Sequence, residues 1–204
     1  MKHPGDHRIC FIGDSFVQGT SDPDCRGWAG RVSAAACHSG FDVTSHNLGI
    51  RGETSRQIGT RWKGESVARF QADCIKYVVF SFGANDMMLE DGELRVSVQQ
   101  SVENFSRIVS ESRANYHTLV VGPPPVGEAT QDARIVRLCT RYAQQAKEIG
   151  VPYLALAEML AHSAFWQKDV VASDGCHPGV AGYRMIAELL GAWPAWWFRA
   201  DIAG

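Results

Sequence analysis

Two segments of the sequence carry side chains suited to acyl transfer. Ser15 follows an apolar run, and a helix that begins there would place its hydroxyl and N–H where partial positive charge favours an oxyanion. His177 follows Asp174 by three residues across a glycine. The carboxylate can therefore accept the imidazole Nδ1–H and leave Nε2 free as a general base. Both segments also have a simpler interpretation, as a turn with a helix cap and as a structural histidine.

Two further segments offer hydrogen-bond donors for an oxyanion. Gly52, in NLGIRGETS (47–55), can bring a bare backbone N–H close to a ligand. Asn85, in the run GAND (83–86), offers an amide N–H that does not titrate. Taken alone, the Gly52 segment is better explained as a turn before a helix capped by Thr54, and the Asn85 segment is also explained as a turn.

The elements that must position these residues alternate along the chain. Apolar or β-branched runs predict five strands, at residues 8–13, 42–49, 76–83, 117–125 and 151–157. Helical patterns follow them, at residues 27–40, 54–64, 93–116, 132–150 and 179–193. This alternation predicts an α/β fold, a three-layer α/β/α sandwich with a central, mostly parallel five-stranded sheet. Functional groups gather at the carboxyl ends of such strands.

The composition is that of an ordinary globular chain. Its 204 residues are 45% hydrophobic and 21% charged, which argues against disorder and fits one domain over residues 1–204. The net charge of -2 gives no electrostatic signature of a nucleic-acid binder or an anionic-membrane binder. No apolar run approaches the roughly 20 residues that cross a bilayer, and the N-terminus lacks the apolar stretch of a signal peptide.

The cysteines indicate a reducing compartment. All six lie far apart, with no C-x-x-C pair. We therefore expect buried, reduced thiols in a cytoplasmic protein, and neither a zinc site nor a disulfide framework.

Taken together and in this order, the four segments resemble the SGNH or GDSL hydrolases. The resemblance covers nearly the whole chain, through IGDSFVQG (12–19), NLGIRGETS (47–55), FSFGANDM (80–87) and DGCHP (174–178). Two departures are small: Phe16 stands where the family's name has Leu, and Cys176 occupies a variable position. Asp14 and Asp86 belong to the motifs and are expected to fix loops.

The resemblance implies a flavodoxin-like fold and a serine esterase or acylhydrolase that cleaves carboxylic esters of short or medium acyl chains through an acyl-enzyme. In that mechanism Ser15 is the nucleophile, His177 the general base and Asp174 the residue that orients the imidazole. The oxyanion hole consists of the Ser15 N–H, the Gly52 N–H and the Asn85 side chain. No metal and no organic cofactor is implied, and the partner is a small-molecule ester.

Four residues are candidates for the walls of a substrate pocket. Trp28, Met87, Met88 and Pro124 lie in segments next to the four motifs. Trp28 is also explained as a core anchor, and the methionines as packing under a loop. The Trp-rich segment AWPAWWFRA (192–200) either packs across the sheet or forms a homo-oligomer interface.

Several rival functions remain open at this point. A carbohydrate O-acetylesterase or a thioesterase would use the same machinery. A catalytically idle binding protein on the same fold would have no need of the triad residues. A metal hydrolase would use Asp14, Asp86, Asp174 and His177, but the sequence has no closely spaced His pair and would leave the serine without a role.

Overall fold

Strands and helices alternate along residues 3–199, the part of the chain that the computed structural model describes, with side chains from residue 5. Residues 1–2 and 200–204 of the predicted domain lie outside it. The elements are, in chain order, β1 (His3–Gly13), α1 (Ser15–Gln18), α2 (Gly27–His38), β2 (Phe41–Gly49), α3 (Ser55–Val67), β3 (Ile75–Ser81), β4 (Leu89–Glu90), β5 (Glu93–Leu94), α4 (Val98–Arg113), β6 (His117–Val121), α5 (Ala129–Ile149), β7 (Tyr153–Leu154), α6 (Leu156–Leu160), α7 (Ala164–Ala172) and α8 (Val180–Ala192).

Five of the strands form one sheet in the order β2-β1-β3-β6-β7, and every neighbouring pair is parallel. Helices α2 and α8 pack together, while α4 packs against α3 and α5. Helix α5 ends as its pattern predicts, at Gly150 with φ +76°. The predicted sandwich with a central five-stranded sheet is therefore confirmed, and the sheet is wholly parallel.

The register of the sheet brings three strand ends level with one another. Gly13, the last residue of β1, pairs with Gly49 at the end of β2 and with Ser81 at the end of β3. A Cβ at Gly13 would lie 1.9 Å from the Ser81 carbonyl oxygen, so only glycine fits at this crossing. The loops that leave β1, β2 and β3 therefore start side by side.

The predicted fifth strand is too long. Only Tyr153 and Leu154 pair with β6, and α6 begins at Leu156. Pro152 has no N–H to donate to a ladder. The Leu and Ala residues after Leu154 favour a helix and bury its inner face.

The predicted helix at 93–116 begins later, at Val98, where the Ser97 side chain accepts the Gln100 N–H. Before it, β4 and β5 form a hairpin around Asp91 and Gly92, whose φ angles are +52° and +84°. Asp-Gly is a strong signal for such a turn, and the helical interpretation overlooked it.

The Trp-rich C-terminal segment packs within the chain. Trp196 and Phe198 are buried, and the Phe198 ring lies 5.3 Å from His7 and 5.1 Å from Tyr77 between centroids. Trp197 lies 4.7 Å from the same tyrosine. The aromatic segment therefore covers the amino ends of β1 and β3. This packing agrees with the first of the two expectations, that the segment packs across the sheet; the other was a homo-oligomer interface. Ala200 lies outside the described residues.

The cysteines are free thiols with different exposures. Cys10 and Cys139 are buried, and burial raises the pKa of each thiol to about 12. Cys25 and Cys37 are exposed, so the expectation of buried thiols is wrong for these two. Within residues 3–199, no helix combines the length and the apolar character that a membrane span requires.

Candidate active site

Ser15 is the first residue of α1, directly after β1. Asp14 caps this short helix by accepting the Phe16 N–H at 3.0 Å through Oδ1. The Asp14 Oδ2 atom is buried and has no partner among the described residues. Burial raises the pKa of Asp14 to about 7, against the opposing effect of the Phe16 N–H. Asp14 thus holds the turn that presents Ser15.

A continuous chain of hydrogen bonds joins Ser15, His177 and Asp174. The His177 Nε2 atom lies 2.8 Å from the Ser15 Oγ atom, and Nδ1 lies 2.8 Å from Asp174 Oδ2. With the proton on Nδ1, the imidazole donates to Asp174 and accepts the serine hydroxyl. This is the arrangement in which a histidine can take the serine proton.

Asp174 is held by more groups than the sequence indicates. Its Oδ1 atom accepts the backbone N–H groups of Cys176 at 2.9 Å and His177 at 2.7 Å. Its Oδ2 atom accepts the Ser21 hydroxyl at 2.6 Å. Partial burial raises the pKa of Asp174, but the hydrogen bonds from His177 and Ser21 outweigh it and hold the pKa well below its usual range. The carboxylate therefore stays charged and fixes the imidazole.

Gly52 and Asn85, the other two predicted oxyanion donors, line the same cavity as Ser15. Gly52 has φ +77°, a conformation that favours glycine, and its carbonyl accepts Arg95 Nη1 at 2.9 Å. Asn85 begins a short 3₁₀ turn, and its Nδ2 donates one N–H to the Glu53 carbonyl at 3.0 Å. The amide is thereby oriented and retains its second N–H for a ligand.

Asp86, the second residue of the 3₁₀ turn at residues 85–87, holds this turn in place. Its carboxylate accepts the Ser55 N–H at 2.8 Å and the Ser101 hydroxyl, which in turn lies 2.6 Å from the Tyr142 hydroxyl. Burial raises the pKa of Asp86 above its ordinary value, although the hydrogen bonds from Ser101 and Ser55 oppose this shift. This network ties the turn to α3, α4 and α5.

A cavity of about 390 Å³ is lined by residues of all four motifs. Its lining residues come from each motif, from the residue after the third motif, from the loop after β6 and from the start of α5: Ser15, Phe16, Arg51, Gly52, Ala84, Asn85, Met88, Val126, Gln131, Cys176 and His177. Met88 is the one predicted pocket residue among them. Arg51, Val126 and Gln131 were not predicted: Arg51 lies within the second motif, where only Gly52 was singled out, and Val126 and Gln131 lie outside the motifs.

The other three predicted pocket residues lie elsewhere. Trp28 is 1% exposed and packs edge-on against Phe11 at 5.4 Å between ring centroids. Met87 is buried in the core, whereas its neighbour Met88 lines the cavity. Pro124 is buried, and Val126 forms the wall of the cavity in its place. All three are buried and do not line the cavity.

The residues of the metal alternative do not form a metal site. Between residues 3 and 199, no group of three or more His, Cys, Asp or Glu side chains could hold a metal ion. Asp14 and Asp86 are instead occupied with the backbone of Phe16 and Ser55.

Solved structures share this fold. An acetylxylan esterase from Geobacillus stearothermophilus has a TM-score of 0.71 at 19% identity, over 93% of this chain and 94% of its own. A lipase/acylhydrolase from Enterococcus faecalis has a TM-score of 0.72 at 20% identity, over 90% and 93%. At these identities the similarity concerns the fold alone.

Sequence comparisons give the family. An uncharacterized protein of Bacillus subtilis (strain 168), YpmR, is 31% identical over 117 residues. That match covers 52% of this chain and 45% of the length of that relative. The model of the GDSL-like lipase/acylhydrolase family matches residues 11–185, a range that includes all four motifs. The chain therefore belongs to the GDSL-like lipase/acylhydrolase family.

Proposed function

We propose that the protein is a serine esterase that cleaves carboxylic esters of short or medium acyl chains through an acyl-enzyme. The hydrogen-bond chain from Asp174 through His177 to Ser15 carries the proposal, because it ends at a nucleophile inside a cavity. The cavity volume of about 390 Å³ supports a small acyl group.

In the proposed reaction, His177 Nε2 removes the proton of Ser15 as the hydroxyl oxygen attacks the ester carbonyl. Three donors stabilise the tetrahedral oxyanion: the N–H groups of Ser15 and Gly52 and the free amide N–H of Asn85. Asp174 stabilises the imidazolium that forms. The imidazolium then protonates the leaving alcohol, and water cleaves the acyl-enzyme with His177 again acting as the base.

The test is hydrolysis of p-nitrophenyl acetate, butyrate and octanoate by the wild type and by Ser15→Ala. We expect Ser15→Ala to lose about 10³-fold or more in kcat, as for other serine triads. Ser39→Ala is the matched control, since Ser39 ends α2 outside the cavity. Unchanged activity in Ser15→Ala would contradict the mechanism. No turnover by the wild type of these or other esters would favour the binding-protein alternative.

The carbohydrate O-acetylesterase is a second candidate. It is favoured by the structural similarity to the acetylxylan esterase, over 93% of this chain. Acetate release from acetylated xylooligosaccharides, compared with hydrolysis of p-nitrophenyl butyrate, separates it from the general esterase. An acyl-thioester assay tests the thioesterase in the same way. A cytoplasmic location and a homo-oligomer remain proposals, the first supported by the six free thiols.

A further inference from the structure

The charge of the cavity wall has a consequence for the substrate. We propose that Arg51 binds a carboxylate group of the substrate, so that the enzyme prefers esters whose acyl or alcohol part is anionic. This inference rests on the serine-esterase function proposed above and adds the charge of the substrate to it.

Arg51 is the only permanently charged residue among those that line the cavity. The carboxylates nearby do not line it. Asp14 caps α1 from a buried position, Asp86 lies beneath the Asn85 turn, and Asp174 lies behind His177. A bound ester therefore meets one cation and no facing carboxylate.

The other arginines of this region are already paired. Arg61 binds Glu53, the acidic residue nearest to Arg51 in sequence, and Arg95 binds Glu90 at 2.9 Å. Arg51 itself is exposed and has no ion pair or hydrogen bond with the part of the chain that the structure describes. Its guanidinium group therefore keeps all five donors for a ligand.

Arg51 lines the same cavity as Ser15 and His177. It directly precedes Gly52, whose N–H is one of the proposed oxyanion donors, and both residues line the cavity. A guanidinium group stays charged at every working pH and matches a carboxylate with two parallel hydrogen bonds. A carboxylate a few bonds away from the ester carbonyl fits this position on either side of the scissile bond.

Two isosteric pairs of esters test the proposal and separate the two sides. Monoethyl succinate and the neutral ethyl levulinate differ in the charge of the acyl part. The anion 4-acetoxybenzoate and the neutral 4-acetoxybenzamide differ in the charge of the leaving group. The readout is the ratio of kcat/KM for the anionic ester to that for its neutral partner, measured by pH-stat for the wild type, Arg51→Gln and Arg56→Gln.

We expect the wild type to prefer the anionic member of at least one pair. Arg51→Gln should lower that ratio about tenfold, the size expected for a charge-assisted hydrogen bond at a partly exposed site. Arg56→Gln should leave the ratio unchanged, because Arg56 is exposed on α3 outside the cavity and contacts Gln100. Raising the salt concentration should reduce the preference of the wild type.

Two outcomes would contradict the proposed role of Arg51 without contradicting the serine-esterase function. One is a wild type that prefers the neutral ester in both pairs. The other is an Arg51→Gln variant whose ratios match those of the wild type. In either case, loss of activity in Ser15→Ala would still support the esterase. Hydrolysis that survives in Ser15→Ala would instead remove the proposed function on which the inference rests.

Discussion

The buried carboxyl of Asp14 makes the stability of the fold depend on pH. One of its oxygens accepts the Phe16 N–H, and the other is buried without a partner in the described chain. Burial raises its pKa from 3.8 to about 7. The Asp14→Asn variant keeps the acceptor for Phe16 and removes the charge, so it isolates the cost of ionising this group.

The size and sign of the effect follow from this pKa. Between about pH 4 and 7 the folded protein holds a proton that the unfolded chain has lost, so the free energy of unfolding falls as the pH rises. The contribution is fully present below pH 3.8 and is lost as the pH passes through about 7. At about 1.4 kcal/mol per pKa unit, Asp14→Asn should be more stable than the wild type by about 1 kcal/mol near pH 4.5 and about 4 kcal/mol near pH 7.5.

Urea unfolding of both proteins at several pH values measures this difference. Asp22→Asn is a control with the opposite sign. Burial raises the pKa of Asp22, but hydrogen bonds from Arg31 and the Gly27 N–H outweigh it and lower the pKa. Removing that carboxylate should therefore destabilise the protein most at neutral pH. A difference between wild type and Asp14→Asn that stays constant from pH 4.5 to 7.5 would refute the reasoning.

Three further substitutions test the remaining assignments. Asn85→Ala should lower kcat by about 10²–10³ in steady-state assays with p-nitrophenyl butyrate, because one oxyanion donor is lost; a change below threefold would contradict its role. Ser21→Ala should lower kcat several-fold with KM unchanged, since Asp174 loses one of its four hydrogen bonds, while Ser21→Thr, which keeps the hydroxyl, should restore the rate. Trp28→Ala should lower the free energy of unfolding by about 3–5 kcal/mol in urea titrations, and a normal stability with an altered KM would return Trp28 to the substrate pocket.

The sequence predicts the site better than it predicts the pocket around it. Ser15, Gly52, Asn85 and His177 could be found because each stands in a short motif after a recognisable strand or before a recognisable helix. Ser21 could not be found, since its contact with Asp174 spans 153 positions and depends on a turn with φ +67° at Ser21. Local pattern carries no information about such a pairing.

Wall residues are hard to predict for a different reason. Met87 and Met88 are neighbours of the same type, yet the first is 1% exposed and the second 43%. The 3₁₀ turn at residues 85–87 ends between them, and Met88 has an extended backbone. Hydrophobicity alone therefore gives the same prediction for a core residue and for a pocket residue, and only the backbone geometry separates them.

The order of the strands explains why Ser15, Gly52 and Asn85 come together although their motifs lie far apart in the sequence. Because β1 lies between β2 and β3 with Gly13 level with Gly49 and Ser81, the segment that carries Ser15 leaves the sheet between the loops that carry Gly52 and Asn85. A slip of one residue in either pairing would move a donor by about 3.3 Å, more than the length of a hydrogen bond. Gly13 opposes such a slip on the β3 side, since any other residue there would bring a Cβ against the Ser81 carbonyl. The geometry of the proposed oxyanion hole is therefore set mainly by the register of the sheet, whereas Asp174 and His177 of the proposed triad both come from the loop before α8.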